Sequence, residues 1–361
     1  MDMPQAKEQK AMKGNKDLLT KKFGKHGPEV PGLGFGCMGL SGAFAKQKPD
    51  DERYAVLDYA YQSGVYLWDT ADAYADSEDL LGRWFQRNPG ARQNVFLCTK
   101  FGNTRDPKTG MPAVRNDVEY MHQQLTKSLA RLQTDQIDLY YAHRVDKAQP
   151  IEITVSAMKE LRDSGKVKYL GLSEASADTL RRACKVAHID AVQMEMSPFC
   201  MEVEQRGLMS ACRQLGVAIV AYAPLGKGFL TGSIRSLSDL EEGDRRRIFP
   251  RFSEENFHKN LELVDKLNAI ADRKGCTNGQ LILAWLMKNP LVFPIPGTTQ
   301  IRNLDENIGA FQVEITEQDD QEIRDAISSV EVAGGRYPEM FGNDLFADTV
   351  PLEEYDGSQK I

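Results

Sequence analysis

Eight short apolar runs, separated by helical patterns, constrain the fold of this chain more than any other feature. The runs are rich in β-branched and aromatic residues, and they end near the following positions: Met38, Asp69, Lys100, His143, Ser173, Met194, Tyr222 and Ile295. Such runs are typical of strands that are buried on both faces of a parallel sheet. Because parallel strands are joined by right-handed crossovers, the pattern predicts an α/β fold, a (β/α)8 TIM barrel.

Helical patterns fill the intervals between the predicted strands. They cover residues 51–63, 77–87, 116–132, 153–163, 177–186 and 203–215. In the third of them, four apolar residues recur at helical spacing: Met121, Leu125, Leu129 and Leu132. This stripe predicts a helix that packs one face on a sheet.

A long charged segment interrupts the alternation before the last strand. Residues 226–257 read as a loop, and two extra helices are predicted after it, at 257–274 and 278–288. A loop of this length in a compact domain is usually a lid or a binding loop. The alternative is a disordered excursion.

The N-terminal part of the chain predicts a flexible tail followed by a hairpin. Residues 1–17 are polar, and residues 18–30 favour a β-hairpin that turns at 24–27. We therefore expect a tail at 1–17 and a single barrel domain over 18–361, which includes the C-terminal tail.

Composition excludes several classes of protein. The chain of 361 residues has a net charge of -7, which gives no basic surface for nucleic acid. Its six cysteines form no C-x-x-C pair and are expected to be reduced thiols, as in a cytoplasmic protein. The five histidines show no metal-ligand spacing, so no metal is expected. No signal peptide and no apolar run long enough for a membrane span are found in the sequence.

Residues 34–39 match the dinucleotide fingerprint G-x-G-x-x-G. In a Rossmann fold a helix must start at the third glycine, so that its N-terminal amides face the pyrophosphate. Here residues 40–49 intervene before any helical pattern. We therefore interpret the glycines as allowing the first strand to run close to a ligand, and a Rossmann-type dehydrogenase would require a helix that starts near Gly39.

Four polar side chains stand at or just after the ends of three predicted strands: Asp69, Tyr74, Lys100 and His143. Each has an individual structural explanation, such as a helix-capping aspartate or a satisfied core histidine. Together they match the needs of carbonyl reduction, in which a proton donor must meet the oxygen as hydride reaches the carbon. A nearby ammonium should lower the pKa of the phenol, a carboxylate should keep that ammonium charged, and an imidazole can orient the substrate oxygen.

These residues carry a resemblance to a known family. Asp69-Thr-Ala-Asp-Ala-Tyr74 with Leu81-Gly82, Thr99-Lys100, and the strand that precedes His143 resemble motifs of the aldo-keto reductase superfamily. The resemblance extends from about residue 18 to about residue 328. It implies that Tyr74 is the general acid, that Lys100 and Asp69 tune it, and that His143 orients the substrate.

The resemblance also implies an NADP site across the barrel mouth. The implied cofactor contacts are Met38, Ser173, Gln193, Tyr222, Leu225, Gly226, Gly228, Thr298, Gln300, Arg302, Glu306 and Asn307. Ser173 and Gln193 would hold the nicotinamide carboxamide, and Tyr222 would stack on the ring. Glu174 stands where the family commonly has asparagine, and a carboxylate cannot donate to the amide oxygen. Arg302 would bind the 2′-phosphate that distinguishes NADP from NAD.

The sequence leaves the substrate and one alternative function open. A carbonyl substrate resembling pyridoxal, or another aromatic aldehyde, is expected from the branch that the sequence most resembles. The C-terminal tail carries aromatic residues without helical spacing, namely Tyr337, Phe341, Phe346 and Tyr355, which either close over the barrel mouth or pack outside it. The alternative function is a cofactor-binding regulatory subunit resembling the potassium-channel β subunits.

Overall fold

The apolar runs form strands in the computed structural model, which describes residues 18–339 and 344–357. The strands of this part are β1 Thr20–Lys22, β2 Glu29–Pro31, β3 Phe35–Gly36, β4 Leu67–Asp69, β5 Phe96–Phe101, β6 Asn103–Arg105, β7 Pro112–Val114, β8 Ile137–Ala142, β9 Val167–Ser173, β10 Ala191–Glu195, β11 Ala218–Tyr222 and β12 Val292–Pro294. The predicted tail at 1–17 lies outside the described residues, and the single domain over 18–361 stays a prediction.

Eight of these strands form one parallel sheet, in the order β12-β11-β10-β9-β8-β5-β4-β3. The first and last strands meet through backbone hydrogen bonds, from Gly34 N to Pro294 O at 2.9 Å and from Gly36 N to Pro296 O at 3.3 Å. These bonds close the sheet into a barrel. The eight strands coincide with the eight predicted ones, so the (β/α)8 fold is confirmed.

Helices cover the outside of the barrel because each buries one apolar face on the sheet. They are α1 Asp50–Gln62, α2 Ser77–Arg87, α3 Val118–Leu132, α4 Ile151–Asp163, α5 Ala177–Val186, α6 Glu202–Gln205, α7 Leu208–Leu215, α8 Glu254–Lys274, α9 Asn278–Lys288, α10 Ile301–Ile308 and α11 Glu317–Ser328. In α3 the predicted stripe faces inwards: Met121, Leu125 and Leu132 are buried and Leu129 packs beside them. Asp117 caps this helix by accepting from the Tyr120 amide.

Two predicted elements differ from the structure. The helix expected at 203–215 is divided into α6 and α7, because Gly207 adopts the left-handed region at φ 74° and ends the first of them. The loop expected at 226–257 is instead a series of short 3-10 turns, and α8 begins at Glu254 rather than at Phe257. A second hairpin, β6–β7, follows the third barrel strand and was not predicted.

The predicted N-terminal hairpin is confirmed, and it covers the amino ends of the barrel strands. β1 and β2 pair antiparallel. Phe23 in their turn packs on Phe96 and Phe293, with ring centroids 5.1 and 4.9 Å apart. The Lys21 ammonium donates to the carbonyl of Val292 at 2.6 Å. Because the hairpin closes the end of the barrel at which the strands begin, a ligand site is expected at the opposite end, where the strands end.

The fingerprint at residues 34–39 has a structural cause. The third glycine, Gly39, lies in a five-residue 3-10 turn, and the next α-helix begins only at Asp50. The Rossmann interpretation is therefore wrong. A Cβ on Gly34 would lie 2.8 Å from Leu67 O, and one on Gly36 would lie 2.8 Å from the backbone oxygen of Ile295. Gly34 and Gly36 thus allow close approach to the neighbouring strands. The expected approach of this strand to a ligand stays a prediction.

Candidate active site

Four side chains converge where the second to fourth barrel strands end. Asp69 is the last residue of β4, Lys100 lies near the end of β5, and His143 directly follows β8. The turn after β4 carries Tyr74 and is fixed by backbone hydrogen bonds, including Asp72 N to Lys100 O at 3.1 Å. The barrel therefore brings together residues that the chain separates widely.

Lys100 is the centre of this group. It is fully buried, and its ammonium donates to Asp69 Oδ1 at 2.5 Å, to the Thr70 carbonyl at 2.6 Å and to the Tyr74 hydroxyl at 3.5 Å. Burial acts to lower the pKa of Lys100, but the charge of Asp69 and the proximity of Tyr74 outweigh it and raise that pKa. The lysine therefore stays a cation next to the phenol.

Tyr74 and His143 meet in front of this ion pair. The Tyr74 oxygen lies 3.3 Å from His143 Nε2, with the two rings edge to face. Burial lowers the pKa of His143 well below its ordinary value, and the charges of Lys100 and Arg144 lower it further. At neutral pH this side chain is therefore an uncharged imidazole, which can hydrogen-bond to both a phenol and a carbonyl oxygen.

One electrostatic expectation for Tyr74 is wrong in sign. Lys100 does act to lower the pKa of Tyr74, as expected, but burial is the larger effect and the pKa is raised overall. The phenol therefore remains protonated through the neutral range. That state suits a proton donor, and Lys100 stabilises the phenolate that forms when the proton leaves.

The expected nicotinamide residues lie beside this group, with contacts of their own. Gln193 Nε2 donates to Asp69 Oδ2 at 2.7 Å. Ser173 Oγ accepts from the guanidinium of Arg144 at 3.4 Å. Both side chains are buried, Ser173 at the end of β9 and Gln193 opposite it within β10. Met38 lies partly buried in the turn after β3.

Glu174 is engaged by groups of the protein itself. Its Oε1 accepts from the hydroxyl of Tyr222 at 2.7 Å and from Arg336 Nη2 at 2.5 Å. Arg336 Nη2 also donates to the Tyr222 oxygen at 2.9 Å, and Tyr337 donates to it at 3.2 Å. The aromatic ring expected to stack on nicotinamide is thus held in place by Glu174 and by the C-terminal tail.

A second carboxylate, Glu195, completes this network. It is fully buried at the end of β10 and pairs with Arg251 at 3.0 Å, Arg336 at 3.2 Å and Lys227 at 3.7 Å. Burial acts to raise the pKa of Glu195, but the three cations outweigh it and lower that pKa. We call Glu174, Glu195, Lys227, Arg251 and Arg336 the mouth ion network. Sequence analysis missed all of it except Glu174.

The tail divides between the two expected positions. Arg336 and Tyr337 lie over the strand ends, whereas the buried Phe346 precedes Ala347, which pairs with Ala175 after β9. Thr349 accepts from the amide of Ile151 at the start of α4. Phe341 lies outside the described residues.

The segment expected to hold the pyrophosphate is a tight turn after β11. The amide of Gly226 donates to Ala223 O, and that of Gly228 donates to Leu225 O. A Cβ on Gly228 would lie 3.1 Å from Arg246 Nη1. These two amides already have acceptors within the turn, and the Arg246 guanidinium is itself paired with Asp244 at 2.6 Å and donates to the Lys227 carbonyl at 3.1 Å. The role of this turn in binding the pyrophosphate therefore stays a prediction.

The segment expected to bind adenosine phosphate lines a cavity of about 360 Å³. Arg302 and Glu306, on successive turns of α10, both face it, together with Thr277 and Gln280. Glu306 accepts from the hydroxyl of Thr277 at 2.7 Å. The guanidinium and the carboxylate suit a phosphate and an adenine amine, respectively.

The neighbouring residues of this segment shape the start of α10. Thr298 Oγ1 accepts from the amide of Gln300 at 3.1 Å, and Gln300 is the residue before the helix. Thr298 and Asn307 are buried. These residues fix the loop and the helix from which Arg302 projects.

Neither a metal cluster nor a membrane-spanning helix is found within residues 18–339 and 344–357. No group of three or more His, Cys, Asp or Glu side chains there could hold a metal ion. None of the helices described is both long and apolar enough to cross a membrane.

The fold and these strand ends define a class: a (β/α)8 barrel with a phenol, an ammonium, a carboxylate and an imidazole at its mouth. Residues 32–328 match the aldo/keto reductase family. Aldo-keto reductase yakc [NADP(+)] of Schizosaccharomyces pombe is 45% identical over 340 residues, 93% of this chain and 99% of that protein. Aldo-keto reductase str7 of Strobilurus tenacellus is 45% identical over 331 residues, 90% and 96% of the two chains. The chain belongs to the aldo/keto reductase family.

Solved structures agree on the fold. Glycerol dehydrogenase AKR11B4 from Gluconobacter oxydans superposes with a TM-score of 0.76 at 22% identity, over 86% of this chain and 95% of that one. A thermostable aldo-keto reductase in complex with the inhibitor epalrestat gives a TM-score of 0.67 at 28% identity, over 86% and 99%. Both support the barrel assignment across nearly the whole described chain.

Proposed function

We propose that this protein is an NADP-dependent aldo-keto reductase that reduces aldehydes or ketones to alcohols, with Tyr74 as the proton donor. One observation carries the proposal. The Tyr74 oxygen lies 3.3 Å from a neutral imidazole and 3.5 Å from a buried ammonium, at the carboxyl ends of the barrel strands. A protonated phenol between those two groups is equipped to give a proton to a carbonyl oxygen.

The residues present fit NADP. The relative from Schizosaccharomyces pombe carries NADP(+) in its name. In this chain, the cavity with Arg302 and Glu306 offers a cation for the 2′-phosphate and an acceptor for adenine. Ser173, Gln193 and Tyr222 would hold the nicotinamide end, with Met38 beside them. Bound NADPH supplies the hydride.

The chain's own residues would act on the oxygen of the substrate. His143 Nε2 orients that oxygen next to the Tyr74 hydroxyl, which transfers its proton as negative charge develops. Lys100 stabilises the phenolate that is left, and Asp69 holds the lysine in position. The pKa of Tyr74 is raised by its burial, so the donor is fully protonated at the start of each turnover.

The substrate is proposed to be a small aromatic aldehyde or a pyridoxal-like compound. The rings of Tyr222 and Tyr337 at the mouth support an aromatic partner. A cytoplasmic location also remains part of the proposal, supported by six unpaired cysteines. The regulatory-subunit alternative would bind NADP but turn over slowly.

The test is a panel of aldehydes and ketones assayed by the loss of NADPH absorbance. We expect turnover at about 1 s⁻¹ or faster with the preferred substrate. Turnover far slower than this with every compound, despite NADPH binding, would favour the regulatory alternative.

The cofactor assignment is tested separately by titrating NADPH and NADH into wild type and Arg302→Met, with NADPH fluorescence as the signal. The substitution should weaken NADPH binding by about tenfold or more and leave NADH binding nearly unchanged. Equal affinity of the wild type for the two cofactors would contradict the role of Arg302.

A further inference from the structure

Three arginines lie at the barrel mouth, and two of them are neutralised by carboxylates. Arg251 pairs with Glu195, and Arg336 pairs with both Glu174 and Glu195. Arg144 differs: its guanidinium donates to a backbone carbonyl and to a serine hydroxyl, and it forms no ion pair within residues 18–339 and 344–357. Unlike Arg251 and Arg336, Arg144 therefore carries a positive charge that no carboxylate neutralises directly.

Arg144 directly follows His143, so it shares the strand end that supplies the imidazole. Its Nη1 donates to the His143 carbonyl at 2.7 Å and to Ser173 Oγ at 3.4 Å. Both acceptors are uncharged. The residue is only partly buried.

The guanidinium of Arg144 is close enough to Tyr74 and His143 for its charge to change their pKa values. The charge of Arg144 lowers the pKa of both Tyr74 and His143, although burial is the larger influence on each. The phenol of Tyr222, which also faces Arg144, is neutral because burial raises its pKa far above the ordinary value.

Burial acts to lower the pKa of Arg144, and neighbouring groups that include Glu174 raise it overall. The Glu174 carboxylate is itself bound to Arg336 and Tyr222. A partly buried cation without a counter-ion is costly, and proteins keep such groups mainly where a ligand completes them. A guanidinium matches a carboxylate in particular, because its planar fork donates two parallel hydrogen bonds.

We propose that Arg144 binds a carboxylate on the carbonyl substrate, so that the preferred substrates are aldehydes or ketones that carry a carboxylate. This inference rests on the proposed function and narrows its substrate class. Arg144 then determines specificity: it holds the anionic end while the carbonyl oxygen lies between Tyr74 and His143.

The test uses two substrates that differ in charge but little in shape, 4-carboxybenzaldehyde and methyl 4-formylbenzoate, with the 3-substituted pair as a second geometry. In at least one geometry, kcat/KM for the carboxylate should exceed that for the ester by about tenfold or more. Arg144→Met should lower kcat/KM for that carboxylate by about 10- to 100-fold, the effect of one charge-assisted hydrogen bond, and change the ester by less than about threefold.

Two further variants sharpen the result. Arg144→Lys keeps the charge without the fork, and it should restore part of the preference for the carboxylate. Arg105→Met removes an equal charge from the exposed hairpin β6–β7, and it should leave both substrates unchanged. If Arg105→Met lowers the preference as much as Arg144→Met does, general electrostatic attraction explains the preference and the proposal fails.

Other outcomes also overturn the proposal. If Arg144→Met lowers kcat/KM equally for the carboxylate and the ester, Arg144 acts on Tyr74 and not on the substrate carboxylate. If the variant has a raised Kd for NADPH, Arg144 contributes to cofactor binding instead. Calorimetric Kd values for the two aldehydes, measured on wild type with NADP⁺ present, do not depend on turnover. If the carboxylate and the ester have equal Kd values in both geometries, the proposal for Arg144 is refuted, even if the protein reduces neither compound. Tight binding of the carboxylate without its reduction would count against the proposed function alone.

Discussion

Two groups of polar and charged side chains lie at the same end of the barrel, and they differ in how completely their hydrogen bonds and ion pairs are formed. In the mouth ion network, Glu195 faces three cations, and Glu174 accepts from both a guanidinium and a phenol. In the group around Lys100, only the lysine–aspartate pair is fully satisfied. Tyr74 has a long bond to each neighbour, and the buried Nδ1 of His143 has no hydrogen-bond partner.

This difference in hydrogen bonding suits the mouth ion network to a structural role and the group around Lys100 to the proposed proton transfer. A network in which each buried carboxylate is paired with cations holds segments together, here the tail and the residues after β11, and offers little to a ligand. A phenol and an imidazole that are held in place but not saturated can exchange protons with a third group. We therefore expect substitutions in the first region to affect mainly stability and those in the second mainly activity.

The largest expected effect is that of Tyr74→Phe. This change removes the proton donor and keeps the ring, so carbonyl reduction should fall about 10²- to 10⁴-fold. The free energy of unfolding and the Kd for NADPH should change little. Steady-state kinetics, urea unfolding and fluorescence titration measure the three quantities. Turnover near the wild-type rate would refute the role of Tyr74.

Arg336→Met should have the opposite profile. It leaves the buried Glu174 without its guanidinium, so the free energy of unfolding should fall by about 3 kcal/mol. Urea unfolding measures this loss. The matched control is Arg235→Met, whose exposed pair with Asp265 should contribute less than about 1 kcal/mol. Equal losses in the two variants would show that the network is not the stabilising feature.

A stability increase is expected from Asp72→Asn, close to Tyr74. Burial and the negative charge of Glu78 raise the pKa of Asp72 to about 7, above its value in the unfolded chain. Between about pH 4 and pH 7, the unfolded chain loses this proton first, so stability falls as pH rises. At pH 8 the variant should be about 2 kcal/mol more stable than wild type.

The control for this variant is Asp135→Asn at an exposed position. Urea unfolding at pH 4 and pH 8 should show a flatter pH dependence for Asp72→Asn only. A loss of stability at pH 8 would mean that the Asp72 carboxylate is satisfied by a contact that outweighs its burial.

The smallest expected effect concerns the pH dependence of kcat for reduction. The pKa of His143 is well below its ordinary value and that of Tyr74 is above its ordinary value, so neither group titrates between pH 6 and pH 9. Over that range kcat should vary by less than about twofold, with a decline only at higher pH. A midpoint near pH 7 in the kcat profiles of both wild type and Asp72→Asn would contradict the protonation states assigned to His143 and Tyr74.

The two regions also differ in how well they could be predicted from the sequence. The group around Lys100 was predictable because each member stands at or near the end of an apolar strand, and barrel strands end on one face. The mouth ion network gave no such signal, since Arg336 and Glu174 are 162 residues apart in the chain. The break between α6 and α7 was missed although Gly207, a residue type that commonly ends helices, stands between them.

The eight strands, the helices between them and the four polar groups at the strand ends could be predicted from the residue pattern, because periodicity and strand ends are local properties. The sign of the pKa shift at Tyr74, the partners of Glu174 and the lack of a counter-ion at Arg144 became evident only from the folded chain. Those properties depend on burial and on distances between segments remote in the chain, and a charge is neutralised or left free only when the fold has placed its neighbours.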